Sequence, residues 1–132
     1  MKNIFLILIC LLPSRLLGQT LSDGDFLNKP VLDKSSAIGF VQIVRFKSTL
    51  PDSVVFSVIE NRKVEFLKVP GLVQKYYLRD SEAMDFCGIY LWASEQDFLE
   101  YKKTELAKSA ALAYQINGQA RVELYNMIYP LK

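Results

Sequence analysis

Between Gly39 and Lys47 (GFVQIVRFK) large apolar side chains occupy both parities of the chain. Val41 and Ile43 fall on one face, and Phe40, Val44 and Phe46 on the other, which predicts a central strand covered on both sides. Ser48-Thr49-Leu50-Pro51-Asp52-Ser53 follows, with hydroxyl and carboxylate capping candidates and a proline suited to a first turn. The period then becomes helical to about Lys68, with Val55, Val58, Ile59 and Phe66 on one broad face, and Pro70-Gly71 ends it. Gly71 to Asp80 (GLVQKYYLRD) and Asp85 to Ala93 (DFCGIYLWA) read as strands joined by the short link Ser81 to Met84, hence as an antiparallel hairpin. Ser94, with Asp97 three residues on, resembles a capping box and opens a second helix that buries Phe98, Tyr101 and Leu106. Ser109 to Ile116 is an alanine-rich helical tail or turn that Asn117-Gly118 ends, and Ala120 to Ile128 is a last strand.

The order β-α-β-β-α-β predicts an α+β domain with a four-stranded antiparallel sheet and both helices on one face. The other face carries large apolar residues as well, whichever way the first strand is turned. An apolar face of that size calls for a cover, and a second copy of the chain, packed sheet to sheet, is the simplest one. A homodimer is therefore expected.

Ahead of this domain, Met1-Lys2-Asn3 is followed by the apolar run Ile4 to Leu12, broken by Pro13-Ser14, with Leu17-Gly18 before Gln19. Charge, a short apolar stretch and a small residue make the layout of a secretory signal peptide over residues 1–18, cut after Gly18. A lipoprotein reading on Cys10 and an uncleaved anchor are the alternatives. The run falls short of the about 20 apolar residues that a stable membrane span needs. Residues 19–38 read as a partly ordered leader and 39–132 as the domain, exported to the periplasm or the medium. Removing residues 1–18 from the 132 takes away Lys2 and Arg15 and no acid, so the formal charge falls from +2 to zero. A neutral domain lacks the clustered cations that nucleic-acid binding requires, and that class is excluded. Cys87 is the single cysteine left, so no internal disulfide forms; between Phe86 and Gly88 it reads as a small buried hydrophobe.

PGLVQKYYLRD (Pro70 to Asp80), CGIYLWAS (Cys87 to Ser94) and the capped helix after them resemble the dimeric α/β-barrel superfamily of ferredoxin-like modules. The likeness is to its small monooxygenases, relatives of the antibiotic-biosynthesis monooxygenases, and spans roughly Gly39 to Ile128. The resemblance implies a homodimer whose sheets enclose a cavity. It also implies one of two activities, oxidation of polycyclic aromatics by O₂ without a cofactor or haem degradation, beside many members with no established activity. The haem-degrading branch relies on a histidine for the iron, and this chain has none. Metal sites of the imidazole type are excluded with it, so no cofactor is expected.

Alternation divides the hairpin into two sets. Cys87, Ile89, Leu91 and Ala93, with Leu72, Tyr76 and Leu78 on the partner strand, suit packing against helices. Gly88, Tyr90 and Trp92, with Val73, Lys75, Tyr77 and Arg79, then face the barrel interior; a slip of one residue reverses the assignment. On this reading Lys75, Tyr90 and Trp92 are the catalytic candidates, and Tyr77 and Arg45 help hold a ligand. Aromatic walls with a few polar tips suit a planar molecule, and a buried lysine there stabilises an enolate or phenolate. The expected activity is that of a cofactor-independent monooxygenase on a small aromatic or quinol. The competing expectations are a homodimer that binds a small apolar molecule without turning it over, and a structural homodimer with a filled barrel. In the last case Tyr90 and Trp92 are interface core and Lys75 reaches solvent.

Overall fold

The computed structural model describes residues 38–131. The signal peptide, its cut site and the leader up to residue 37 lie outside the described residues. The described elements are β1 (Phe40–Ser48), α1 (Asp52–Phe66), β2 (Leu72–Arg79), β3 (Phe86–Trp92), α2 (Glu95–Lys102), α3 (Glu105–Lys108), α4 (Ala110–Ala113) and β4 (Ile116–Asn126). The strands form one sheet in the order β2-β3-β1-β4, with every neighbouring pair antiparallel. This is the ferredoxin-like α+β arrangement that the order of elements predicts. None of the described helices is long and apolar enough to cross a membrane.

Local chemistry explains most boundaries. Ser94 caps α2: its Oγ accepts from the Asp97 amide at 3.2 Å and donates to the Asp97 carboxylate at 2.6 Å. The hairpin link closes on Asp80, whose carboxylate accepts from the amides of Glu82 and Ala83, both at 2.9 Å. α1 differs from expectation, because Pro51 is its N-cap and no side chain bonds to its first turn. Ser48 is engaged elsewhere, donating to the Tyr114 carbonyl at 2.6 Å. Asp52 instead holds Arg79 in a two-pronged bridge of 2.9 and 3.0 Å, tying the start of α1 to the end of β2. β4 starts at Ile116 rather than Ala120, so Asn117-Gly118 lies inside the strand. With φ +74°, Gly118 opens a bulge in which residues 118–120 pass opposite Phe46 alone, a detour rather than a stop.

The two faces of the sheet are exchanged relative to expectation. The alternation groups the residues as expected, but Tyr90 and Trp92 lie under the helices. They pack with Phe40 of β1, Phe66 of α1, and Phe98 and Tyr101 of α2 in one aromatic layer. Lys75, Tyr77 and Arg79 share this side through their pairing with Tyr90, Gly88 and Phe86. Cys87, Ile89 and Leu91, with Tyr76 and Leu78, take the opposite side beside Val41 and Ile43. Among these only Cys87 is buried. The cause is what the helices present: Phe66, Phe98 and Tyr101 meet rings on the sheet, and edge-to-face and tilted ring pairs at 5–6 Å fill a gap that aliphatic chains would leave open. Leu72 alone among its expected set stays on the helix side, because the register shifts between Leu72 and Gln74. A second cluster of Val55, Phe86 and Tyr114 fills the other end of the helix layer.

Gly71 joins α1 to β2 with φ +75°, and a Cβ there would lie 2.1 Å from the Asp97 carboxyl carbon. Gly71→Ala is therefore expected to destabilise the domain by about 2 kcal/mol or more, combining the left-handed backbone penalty with displacement of the α2 cap. Urea unfolding checks this, and a variant as stable as wild type would contradict it.

Candidate functional site

The two core clusters do not meet completely. Between them lies an inner chamber of about 50 Å³, lined by Val44, Phe46, Ile59, Lys75, Tyr77, Tyr90 and Tyr114 among others. Beside it, between α1 and β2, runs an outer groove of about 440 Å³ whose walls include Glu60, Lys63, Phe66, Leu67, Leu72, Val73 and Gln74. Ile59, Lys75 and Tyr77 line both spaces, so they form the partition between them.

Lys75 is the chemical centre of this arrangement. β2 pairs it with Tyr90 and points it beneath α1. Its Nζ lies 3.3 Å from the ring centroid of Phe66, 4.3 Å from that of Tyr90 and 4.4 Å from that of Tyr77. Ring faces attract a cation, a gain of about 0.5–2 kcal/mol. Burial works in the opposite direction and dominates. Loss of water, aided by the positive charge of Arg62, takes the pKa of Lys75 down to about 6. At neutral pH the group is largely a free amine with a lone pair, enclosed by aromatic walls.

The phenols around it are shifted the other way. Burial raises Tyr77, Tyr90 and Tyr114, and it takes Tyr101 up to about 12, so all four remain protonated donors. The rings of Tyr90 and Tyr101 pack in a tilted pair with centroids 6.1 Å apart. The buried hydroxyls of Tyr77 and Tyr114 have no partner among the described residues. Arg62 reaches from α1 to the Leu106 carbonyl and to Ser109 Oγ (3.2 Å), with its guanidinium carbon 5.7 Å from the Tyr114 ring centroid.

Three of the residues expected from the sequence come together, namely Lys75, Tyr77 and Tyr90, although beneath the helices rather than between two sheets. Trp92 does not join them. It is 0% exposed, lies parallel to Tyr90 at 6.1 Å, and donates from Nε1 to Gln42 at 3.4 Å, so it is aromatic core. Arg45 is on the opposite face of the sheet beside Glu123, 3.9 Å away, and cannot share a ligand with Lys75. The sequence pattern places Phe66 on the core face of α1, and the fold sets its ring against the amine. Arg62 and Tyr114 were missed altogether. Arg62 continues the spacing of Val55, Ile59 and Phe66, and a cation on an apolar stripe is the signal that could have identified it. Tyr114 stands out only as the one ring in an alanine-rich run.

No protein-family description and no curated protein matches the chain. Solved structures do match. SnoaB, a cofactor-independent oxygenase from Streptomyces nogalater, aligns over 71% of this chain and 97% of its own, with 18% identity and a TM-score of 0.60. A dimeric ferredoxin-like protein of unknown function from Thermobifida fusca aligns over 68% and 92%, with 16% identity and a TM-score of 0.57. LmHde, a heme-degrading enzyme from Listeria monocytogenes, aligns over 70% and 63%, with 23% identity and a TM-score of 0.57. At these identities the likeness establishes the fold: a ferredoxin-like module of the kind found among antibiotic-biosynthesis-type monooxygenases.

The shift of Lys75 predicts a pH signature in stability. Its folded pKa is below the ordinary 10.5, so between about 6 and 10.5 the unfolded chain binds the extra proton and stability rises with pH. Lys75→Met removes this penalty. The advantage of the variant over wild type is expected to be greatest near pH 6 and to shrink by about 1.4 kcal/mol per pH unit between about pH 7 and 9. Denaturant titrations at the two pH values measure it, and a margin that stays constant would contradict the shift.

Proposed function

We propose that the protein is a cofactor-independent monooxygenase that uses the Lys75 amine to ionise a small aromatic or quinol substrate. The observation that carries this reading is the position of that amine, inside an aromatic enclosure and at the wall of a groove wide enough for a ring. A free amine takes a proton from an acidic C–H or O–H, and the ammonium so formed pairs with the substrate anion in a poorly hydrated site. The anion is electron-rich and reacts with O₂. For a methylene substrate of the anthrone type, the carbon loses both hydrogens and gains one oxygen atom as a ketone. The second oxygen leaves with those hydrogens as water, so O₂ supplies all the oxidising equivalents. The fold shared with a cofactor-independent oxygenase supports the reading.

The small inner chamber favours a second reading, a homodimer that binds an apolar molecule in the groove and does not transform it. Oxygen uptake separates the two. The purified chain, incubated in air with hydroquinone- and anthrone-type compounds, is expected to show protein-dependent uptake that rises with pH through about 6 and falls at least about tenfold in Lys75→Ala. Binding without uptake across the panel would leave the second reading standing and overturn the first.

The proposed unit is a homodimer joined through the open sheet face, where Val41, Ile43, Tyr76, Leu78, Ile89 and Leu91 stand together. Sedimentation at micromolar concentration is expected to give a dimer, and a strict monomer would contradict it. We also propose export, which predicts a secreted or periplasmic chain beginning at Gln19 by N-terminal sequencing.

A further inference from the structure

We infer that the hydroxyls of Tyr77 and Tyr114 are a donor pair for an oxyanion, so that the inner chamber takes the oxygen-bearing edge of a phenol or enol. The inference rests on the proposed role of Lys75 and specifies what the amine ionises. Tyr114 is 6% exposed, and its hydroxyl is enclosed without a hydrogen-bond partner among the described residues, as is that of Tyr77. An enclosed hydroxyl without a partner is costly to a fold, and a ligand oxygen reaching both would recover that loss. Of the phenols lining the chamber, Tyr77 and Tyr114 are the two whose hydroxyls are buried and unpartnered among the described residues.

Size restricts what can enter. The chamber holds about 50 Å³, whereas an apolar cavity that accepts benzene is about 150 Å³. A ring therefore stays in the outer groove and only a substituent passes the partition of Lys75 and Tyr77. A hydroxyl passing there meets the amine first. Its O–H bond breaks, an N–H bond forms at Lys75 Nζ, and the oxygen is left negative. The new ammonium and two neutral phenol donors then surround it, with the Arg62 guanidinium behind Tyr114. Fixed donors aimed at a developing oxyanion in a dry site are the strongest common form of electrostatic stabilisation.

The test uses para-nitrophenol, whose absorbance reports its ionisation. Wild type is expected to bind it as the phenolate, with the ionisation of the bound probe shifted below that of the free one. Tyr77→Phe and Tyr114→Phe are each expected to weaken phenolate binding about tenfold and to raise the bound probe's pKa. Nitrobenzene, which lacks the hydroxyl, should bind all three proteins alike. Both variants remove an unpaired hydroxyl, so their thermal midpoints should equal or exceed that of wild type. Phenolate affinity and ionisation unchanged in both variants, an equal loss for nitrobenzene, or no binding of millimolar probe to wild type would each overturn the donor pair. A selective phenolate loss without oxygen uptake on any substrate would keep the pair and remove only the oxygenase reading.

Discussion

Six rings from four elements meet between the sheet and its helices, with Phe40, Tyr90 and Trp92 on the strands and Phe66, Phe98 and Tyr101 above them. The contact sets the sidedness of the sheet, because a strand that places Tyr90 and Trp92 under the helices must place Ile89 and Leu91 on the other face. It also locates the candidate site. The layer thins toward β2, where Lys75 occupies the place another ring would fill, against Phe66, Tyr77 and Tyr90. The asymmetry of the whole domain follows from this. One face is aromatic and filled by the chain's own helices, and the other sets Val41, Ile43, Leu78, Ile89 and Leu91 beside Tyr76 and the Arg45–Glu123 pair.

The amine is held by opposing forces. Ring faces favour its charged form, while desolvation and Arg62 favour the neutral one. The balance makes Lys75 an uncharged amine at neutral pH instead of a fixed cation. Exclusion of water by aromatic packing therefore sets a neutral lysine among phenols that are protonated at this pH with or without burial. The bridge from Asp52 to Arg79 secures this geometry by fixing the start of α1 against the end of β2.

Element order, strand pairing and the two alternating sets of the hairpin were legible in the sequence, as was the Ser94 cap. The side that each set faces was not. Alternation separates two faces without saying which one meets the helices, and here both are apolar. The helix pattern could have decided it, but α1 mixes apolar and polar residues around its circumference, with Val54, Phe56 and Val64 exposed, so it pointed to neither. Lys75, Tyr77 and Tyr90 survived the exchange because they move together. Trp92 did not, since its neighbours in space, Phe98 and Tyr101, come from a helix whose docking no local pattern specifies. Arg45 was lost to parity, being one residue from Val44 on the side that faces the site. Tyr114 enters the site from a short helix far along the chain, a long-range contact that only the fold reveals.

The central claim is that Lys75 is an uncharged amine in the folded protein near neutral pH. NMR titration of the lysine side chains, with the Lys75 signal assigned by its absence in Lys75→Met, tests it directly. The account predicts one lysine titrating near 6, well apart from the others. A Lys75 signal that titrates with the remaining lysines near the ordinary value of 10.5 would contradict it.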